Sequence, residues 1–222
     1  MIKLVLVRHG KTIWNLENRY TGWTNVELSE EGIMEAKNAG KLLKEKGFSF
    51  DLAYDTGLKR SALSLELVLK EMGLENIEIR KSNMLNERHY GALQGLNKDE
   101  TRKTYGEEQV RLWRRSYDVR PPLLTKDDPR YVEGEPLGES LKDTSVRVVK
   151  YYEEEIKKEL LNGRKIIISA HGNSTRALIK YLDNISDEDI MNLEIEFGVP
   201  IIYEFDDNLN VIRHYYLGDK ND

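Results

Sequence analysis

The chain is expected to fold as a three-layer α/β sandwich, a mostly parallel sheet with helices on both faces. Three observations predict this. Leu4-Val5-Leu6-Val7 and Ile166-Ile167-Ile168 are unbroken apolar runs, the composition of strands covered on both sides. Segments of helical spacing alternate with strand-like runs, the pattern of α/β architecture. The 222 residues contain no internal repeat, low-complexity tract or dividing linker, so 1–222 is taken as one domain.

The elements follow in order. After the strand at 4–7, Ser29 can cap a helix in which Ile33, Ala36, Gly40 and Leu43 recur at helical spacing until Gly47. Short strands at about 50–54 and 77–80 flank a helix at about 58–72. An amphipathic helix is expected over 141–161, ended by Asn162-Gly163, with a buried strand at 166–170 behind it. Ser186-Asp187-Glu188-Asp189 resembles a capping box for a short helix. A closing hairpin pairs 201–205 with 211–216 across Asp206-Asp207-Asn208. The stretch 117–138 differs in texture. It carries Pro121, Pro122, Pro129 and Pro136 with little periodicity, as a long surface excursion of the kind that acts as a lid.

Composition excludes several chemistries. With no cysteine there can be no disulfide, zinc–thiolate site or cysteine nucleophile, which suits the reducing cytoplasm expected as the location. The apolar run before Arg8 is too short for a signal segment, and no later stretch approaches a membrane span. A net charge of −5 argues against nucleic acid as a partner, although local clustering can still make an anion site.

One feature occurs twice. Each buried strand runs into a His-Gly pair, Arg8-His9-Gly10 and His171-Gly172-Asn173. Ligands of open α/β sheets bind beyond the carboxyl ends of the strands, so neighbouring strands would bring both imidazoles to one rim. Glycine lets backbone approach a ligand, and a following helix offers N-terminal amides to an anion. A single strand-end histidine would be structural on most counts. A repeated one, with arginine before the first, points to phosphate, because guanidinium matches phosphate oxygens in a bidentate way. A metal site is disfavoured: no His-x-His or His-x-x-x-His pair occurs, and Arg8 would repel a divalent cation. Arg60, the Asn86-Glu87-Arg88-His89-Tyr90-Gly91 stretch, Lys98 and Arg114-Arg115 fall on strand-end loops or beyond and would extend a polyanion site. His214, on the last strand, is expected to be structural.

These blocks, with Thr21-Gly22-Trp23, Leu58-Lys59-Arg60, Gly95-Leu96-Asn97-Lys98, Trp113-Arg114-Arg115-Ser116-Tyr117-Asp118 and Ala170-His171-Gly172-Asn173-Ser174, resemble the cofactor-dependent phosphoglycerate mutases of the histidine phosphatase superfamily. The resemblance covers about 3–218. It implies a phosphoglycerate mutase-like fold and interconversion of 3-phosphoglycerate and 2-phosphoglycerate, a step of glycolysis and gluconeogenesis. The implied primer is 2,3-bisphosphoglycerate, with no metal, in a cytoplasmic homodimer that binds neither nucleic acid nor membrane. His9 would carry the phosphoryl group as phosphohistidine, Glu87 would be the general acid and base, and Arg8, Arg60 and His171 would surround the transferring group. Thr12, Asn15, Thr21, Gly22, Gly172 and Asn173 would complete the phosphate cradle. Arg88, Tyr90, Lys98, Arg114 and Arg115 would hold the rest of the substrate. A histidine-type phosphomonoesterase on the same scaffold is the alternative, since Arg-His-Gly suits it equally.

The chain departs from that pattern near the chemistry. Lys11-Thr12 stands where relatives have Glu-Ser, Asp55-Thr56-Gly57 where they have Thr-Ser, and Phe197 where a small polar residue is usual before Gly198-Val199-Pro200. Lys11 and Asp55, opposite in sign and both at strand ends, are expected to pair. The proline-rich excursion is also shorter than in most relatives, which bears on lid closure and subunit contacts.

Overall fold

Strand β1 (Ile2–Arg8) lies inside a six-stranded sheet of order β3-β2-β4-β1-β5-β6. The structure is a computed structural model that describes residues 1–218; the last four positions of the expected 1–222 unit lie outside the described residues. Strands β2 (Leu52–Asp55), β3 (Glu78–Lys81) and β4 (Ile166–Ala170) run parallel to β1, and β5 (Pro200–Phe205) and β6 (Val211–Tyr216) run antiparallel as the closing hairpin. The sheet is therefore mostly parallel, as the two apolar runs require.

Alternation along the strands explains the three layers. On one face Leu4, Leu6, Ile166, Ile168 and Tyr203 meet Val148, Tyr152 and Ile156 of the long helix and Ala177 and Leu178 of α8 (Gly172–Leu182). On the other, Val5, Val7, Ala53, Ile167 and Ile202 meet α2 (Glu30–Glu45) and α3 (Lys59–Met72) through Ala39, Leu43, Leu65, Val68 and Leu69. Each Leu, Ile or Val among them taken from water contributes about 1.5–3 kcal/mol. No helix among the described residues is long and apolar enough to cross a membrane.

Two local features needed the structure. The helix expected over 141–161 runs as α6 (Leu141–Tyr151), a π turn (Tyr152–Ile156) and α7 (Lys157–Leu161). Val148, Tyr152, Ile156 and Leu160 are all buried at a spacing of four, wider than the about 3.6 residues of an α turn. A π turn lets all four keep facing the core. The 117–138 stretch is irregular, as its prolines imply. Yet it braces the chain at 89–95 rather than the site: Ala92 N–H donates to Pro122 O (2.8 Å) and Arg130 donates to Gln94 O (2.7 Å).

Candidate active site

The register of β1 and β4 builds the centre. Arg8 sits opposite Ala170, and His9 N–H donates to Ala170 O (3.0 Å), so His9 and His171 leave the sheet side by side with ring centroids 5.1 Å apart. Gly10 makes the turn possible, because a Cβ there would lie 2.0 Å from Gly32 O. His9 is buried, with Nδ1 2.7 Å from Gly10 O. A carbonyl only accepts, so Nδ1 carries the proton and Nε2 keeps its lone pair. Burial, then Arg60 and Arg8, hold the ring well below the ordinary histidine range, and it is neutral at physiological pH. A neutral imidazole with a fixed tautomer and its lone pair on Nε2 is the state of a nucleophile.

Arg60, on the first turn of α3, reaches His9 Nε2 with its Nε (3.3 Å) and is anchored to Thr24 O (2.9 Å) and Gly22 O (2.6 Å). Its pKa is lowered to about 10, chiefly by burial. Arg8 donates to Ile195 O (2.5 Å) and lies 3.6 Å above the Phe197 ring. His171 is fully buried, with Nε2 3.0 Å from Thr56 Oγ1, and burial followed by Arg60 holds it well below the usual range.

Glu87 reaches the same centre from the loop after β3. Its Oε1 accepts from Arg88 N–H (2.7 Å) and from Asn173 N–H (3.0 Å), in the first turn of α8. That loop hangs on a buried pair. Arg147 bonds Glu139 (2.7 Å) and donates to Met84 O, Asn86 O and Glu87 O (2.8, 2.8 and 2.9 Å), while Glu139 accepts from His89 N–H (2.8 Å). The Glu87 carboxylate is thus set by backbone bonds on both sides.

A cavity of about 460 Å³ opens above His9. Its far wall comes from helices outside the sheet: Lys98 starts α4 (Lys98–Tyr105), Arg114 and Arg115 end α5 (Glu107–Arg115), and Arg176 lies on α8. Tyr90 OH accepts from Arg88 (3.0 Å) and from Asn173 Nδ2 (3.2 Å). Burial works to raise the Tyr90 pKa, but Arg88 and Arg114 outweigh it and bring it down to about 8. Burial lowers Lys98 to about 8 against the pull of Tyr90. Arg8 Nε, Thr21 Oγ1 and Arg176 Nε are buried here without a hydrogen-bond partner. Buried unpaired donors are costly, and around a cationic pocket they fit the oxygens of an anion.

The family model of the histidine phosphatase superfamily (branch 1) matches residues 4–217. The chain belongs to that superfamily. Its fold resembles a mycobacterial glucosyl-3-phosphoglycerate phosphatase (22% identity, 97% of each chain, TM-score 0.76). It also resembles the alpha-ribazole phosphatase of Shigella flexneri (21%, 96% of this chain and 95% of that one, TM-score 0.73). A phosphoglycerate mutase from Bacillus anthracis str. Sterne matches as well (21%, 97% of this chain and 91% of that one, TM-score 0.69). At these identities the likeness concerns fold, and superfamily folds carry both kinds of chemistry.

Within this superfamily fold, most residues singled out by sequence line the one cavity: Arg8, His9, Asn15, Thr21, Gly22, Arg60, Glu87, Tyr90, Lys98, Arg114, Arg115, Gly172 and Asn173. Three stand behind it. Thr12 is buried and caps α1 (Ile13–Leu16), accepting from Asn15 N–H (3.1 Å). Arg88 is buried and donates to Tyr90 OH and Arg114 O (2.7 Å), and His171 lies beside His9 beneath the surface. No residue of 117–138 lines the cavity. The expected Lys11–Asp55 pair is corrected. Lys11 Nζ bonds Glu31 and lies 3.5 Å from Glu35, whereas Asp55 is buried and accepts from Thr56 N–H (2.6 Å) and Ser61 Oγ (2.8 Å). Sequence reasoning passed over Arg176 and Glu194. Arg176 was legible as the helical partner of Asn173, three positions on, and it donates to Asn173 Oδ1 (2.9 Å). Glu194, in an irregular stretch, carried no signal.

Proposed function

We propose that this chain interconverts 3-phosphoglycerate and 2-phosphoglycerate through a phosphohistidine on His9. His9 Nε2 attacks phosphorus, a P–N bond forms as the P–O bond breaks, and Glu87 gives its proton to the leaving oxygen. Arg8 and Arg60 stabilise charge on the equatorial oxygens. In the reverse transfer Glu87 takes the proton of the attacking hydroxyl. A 2,3-bisphosphoglycerate molecule would supply the first phosphoryl group, and the unpaired donors of Arg8, Thr21 and Arg176 suit such an anion.

The observation that carries this reading is the second set of cations, Lys98, Arg114, Arg115 and Arg176, that shares the cavity with His9. A phosphomonoesterase needs only a water and an exit. A mutase must hold the far end of its substrate between two transfers, and a second set of cations is the means to do so. Incubating the protein with 3-phosphoglycerate, with and without 2,3-bisphosphoglycerate, tests it. Isomerisation that depends on the primer is expected. Release of inorganic phosphate in excess of 2-phosphoglycerate would instead assign a phosphomonoesterase.

A further inference from the structure

The cavity is lined by two carboxylates, and they are held in opposite ways. Glu87 is set by two backbone N–H groups and lines the cavity with His9. Glu194 lies at the outer end, its side chain 72% exposed, paired with Arg115, whose side chain is 26% exposed. Arg115 belongs to the wall assigned above to the far end of the substrate, so a ligand anion and Glu194 compete for one guanidinium.

The segment that delivers Glu194 is fixed from behind. Arg8 donates to Ile195 O (2.5 Å), the Arg8 guanidinium lies 3.6 Å from the Phe197 ring centroid, and Gly198 N–H donates to Arg8 O (3.0 Å). Gly198 has φ +65°, and a Cβ there would lie 2.8 Å from Glu35 Cβ, so the turn depends on glycine. The residue before the nucleophile thus places the 194–198 backbone, and the exposed Glu194 side chain is left to turn.

We propose that Glu194 is a specificity-determining residue: an internal counter-ion of Arg115 that the far anion of a two-ended ligand displaces. The proposal rests on the reading of the far wall given under Proposed function. Its logic is an exchange. An incoming carboxylate or phosphate replaces the Glu194 carboxylate on Arg115, and Glu194 turns into water. A half-exposed ion pair is weak, so the exchange is affordable yet not free. Its effect falls chiefly on ligands with a second anion, because a simple phosphate ends at Arg8, Arg60 and the histidines, where the Glu194 charge is felt only weakly, at Arg8. Glu194 therefore loosens the hold on two-ended anions and speeds their exchange.

Calorimetric titration of the whole protein with inorganic phosphate and with 3-phosphoglycerate tests this. In Glu194→Gln, 3-phosphoglycerate should bind about two- to five-fold tighter, the worth of an exposed pair, with inorganic phosphate unchanged. In Arg115→Gln, adding Glu194→Gln should leave both affinities where they were. If Glu194→Gln changes both ligands alike, or neither, the counter-ion role is overturned while the far-wall assignment stands. If wild type and variant bind 3-phosphoglycerate no tighter than phosphate, the far-wall assignment fails and takes the counter-ion role with it.

Discussion

The two halves of the cavity are built by different means. The inner half, His9, His171, Arg8 and Arg60, is placed by strand register and by side-chain bonds to backbone carbonyls, and it is almost wholly buried. The outer half, Lys98, Arg114, Arg115 and Glu194, stands on short helices and an irregular segment and meets solvent. Register leaves little freedom, whereas helix ends and loops tolerate substitution. On the proposed reading, the inner half would supply phosphoryl chemistry common to the superfamily, and the outer half would decide what is carried on the phosphoryl group and whether water can take it.

The largest test strikes the inner half. His9→Ala should lower transfer by about 10⁴-fold or more, as loss of a covalent nucleophile does, with circular dichroism and the melting temperature little changed. Appreciable residual isomerisation would break the covalent scheme. The next test strikes the outer half. Arg115→Ala should raise KM for phosphoglycerate by about 10- to 100-fold, the worth of a charge-assisted contact, and change that of p-nitrophenyl phosphate less than about two-fold. Equal losses would merge the two halves into one site. The smallest effect is a pH dependence confined to the outer half. Lys98 is brought down to about 8 by burial and Tyr90, against burial, to about 8 by Arg88 and Arg114, so raising the pH through that value should remove a positive charge and create a phenolate. Affinity for phosphoglycerate should fall across that window, by several-fold, and affinity for p-nitrophenyl phosphate much less. Lys98→Met should flatten much of the difference.

The same contrast governs what the sequence made legible. The sheet and its two histidines could be read because a doubly covered strand needs an unbroken apolar run, and each run ends on His-Gly. That the two runs are neighbours, with Leu4 opposite Ile166, is supplied by the structure. The outer wall was legible in part: singly, Lys98 and Arg114-Arg115 look like solvated cations, as a set they suggested a polyanion site, and the resemblance alone gave them the far end of a substrate. Lys11 shows the limit most clearly. Charge sign suggested Asp55 as its partner, but tertiary packing brings the N-terminal part of α2 closer, where Glu31 and Glu35 take up the ammonium. Asp55 meanwhile serves the turn into α3 through Thr56 and Ser61. Glu194 depends on a long-range contact that no local pattern encodes, and the π turn at Tyr152–Ile156 is marked only by the four-residue spacing of Val148, Tyr152, Ile156 and Leu160.

The central claim is that the phosphoryl group on His9 passes to phosphoglycerate rather than to water. A direct test is to load the protein with radiolabelled phosphoryl group, confirm acid-labile label on His9, and chase with unlabelled 3-phosphoglycerate. Label should leave His9 far faster with phosphoglycerate than in buffer and appear in phosphoglycerates. Label lost to inorganic phosphate at the same rate with and without phosphoglycerate would contradict it.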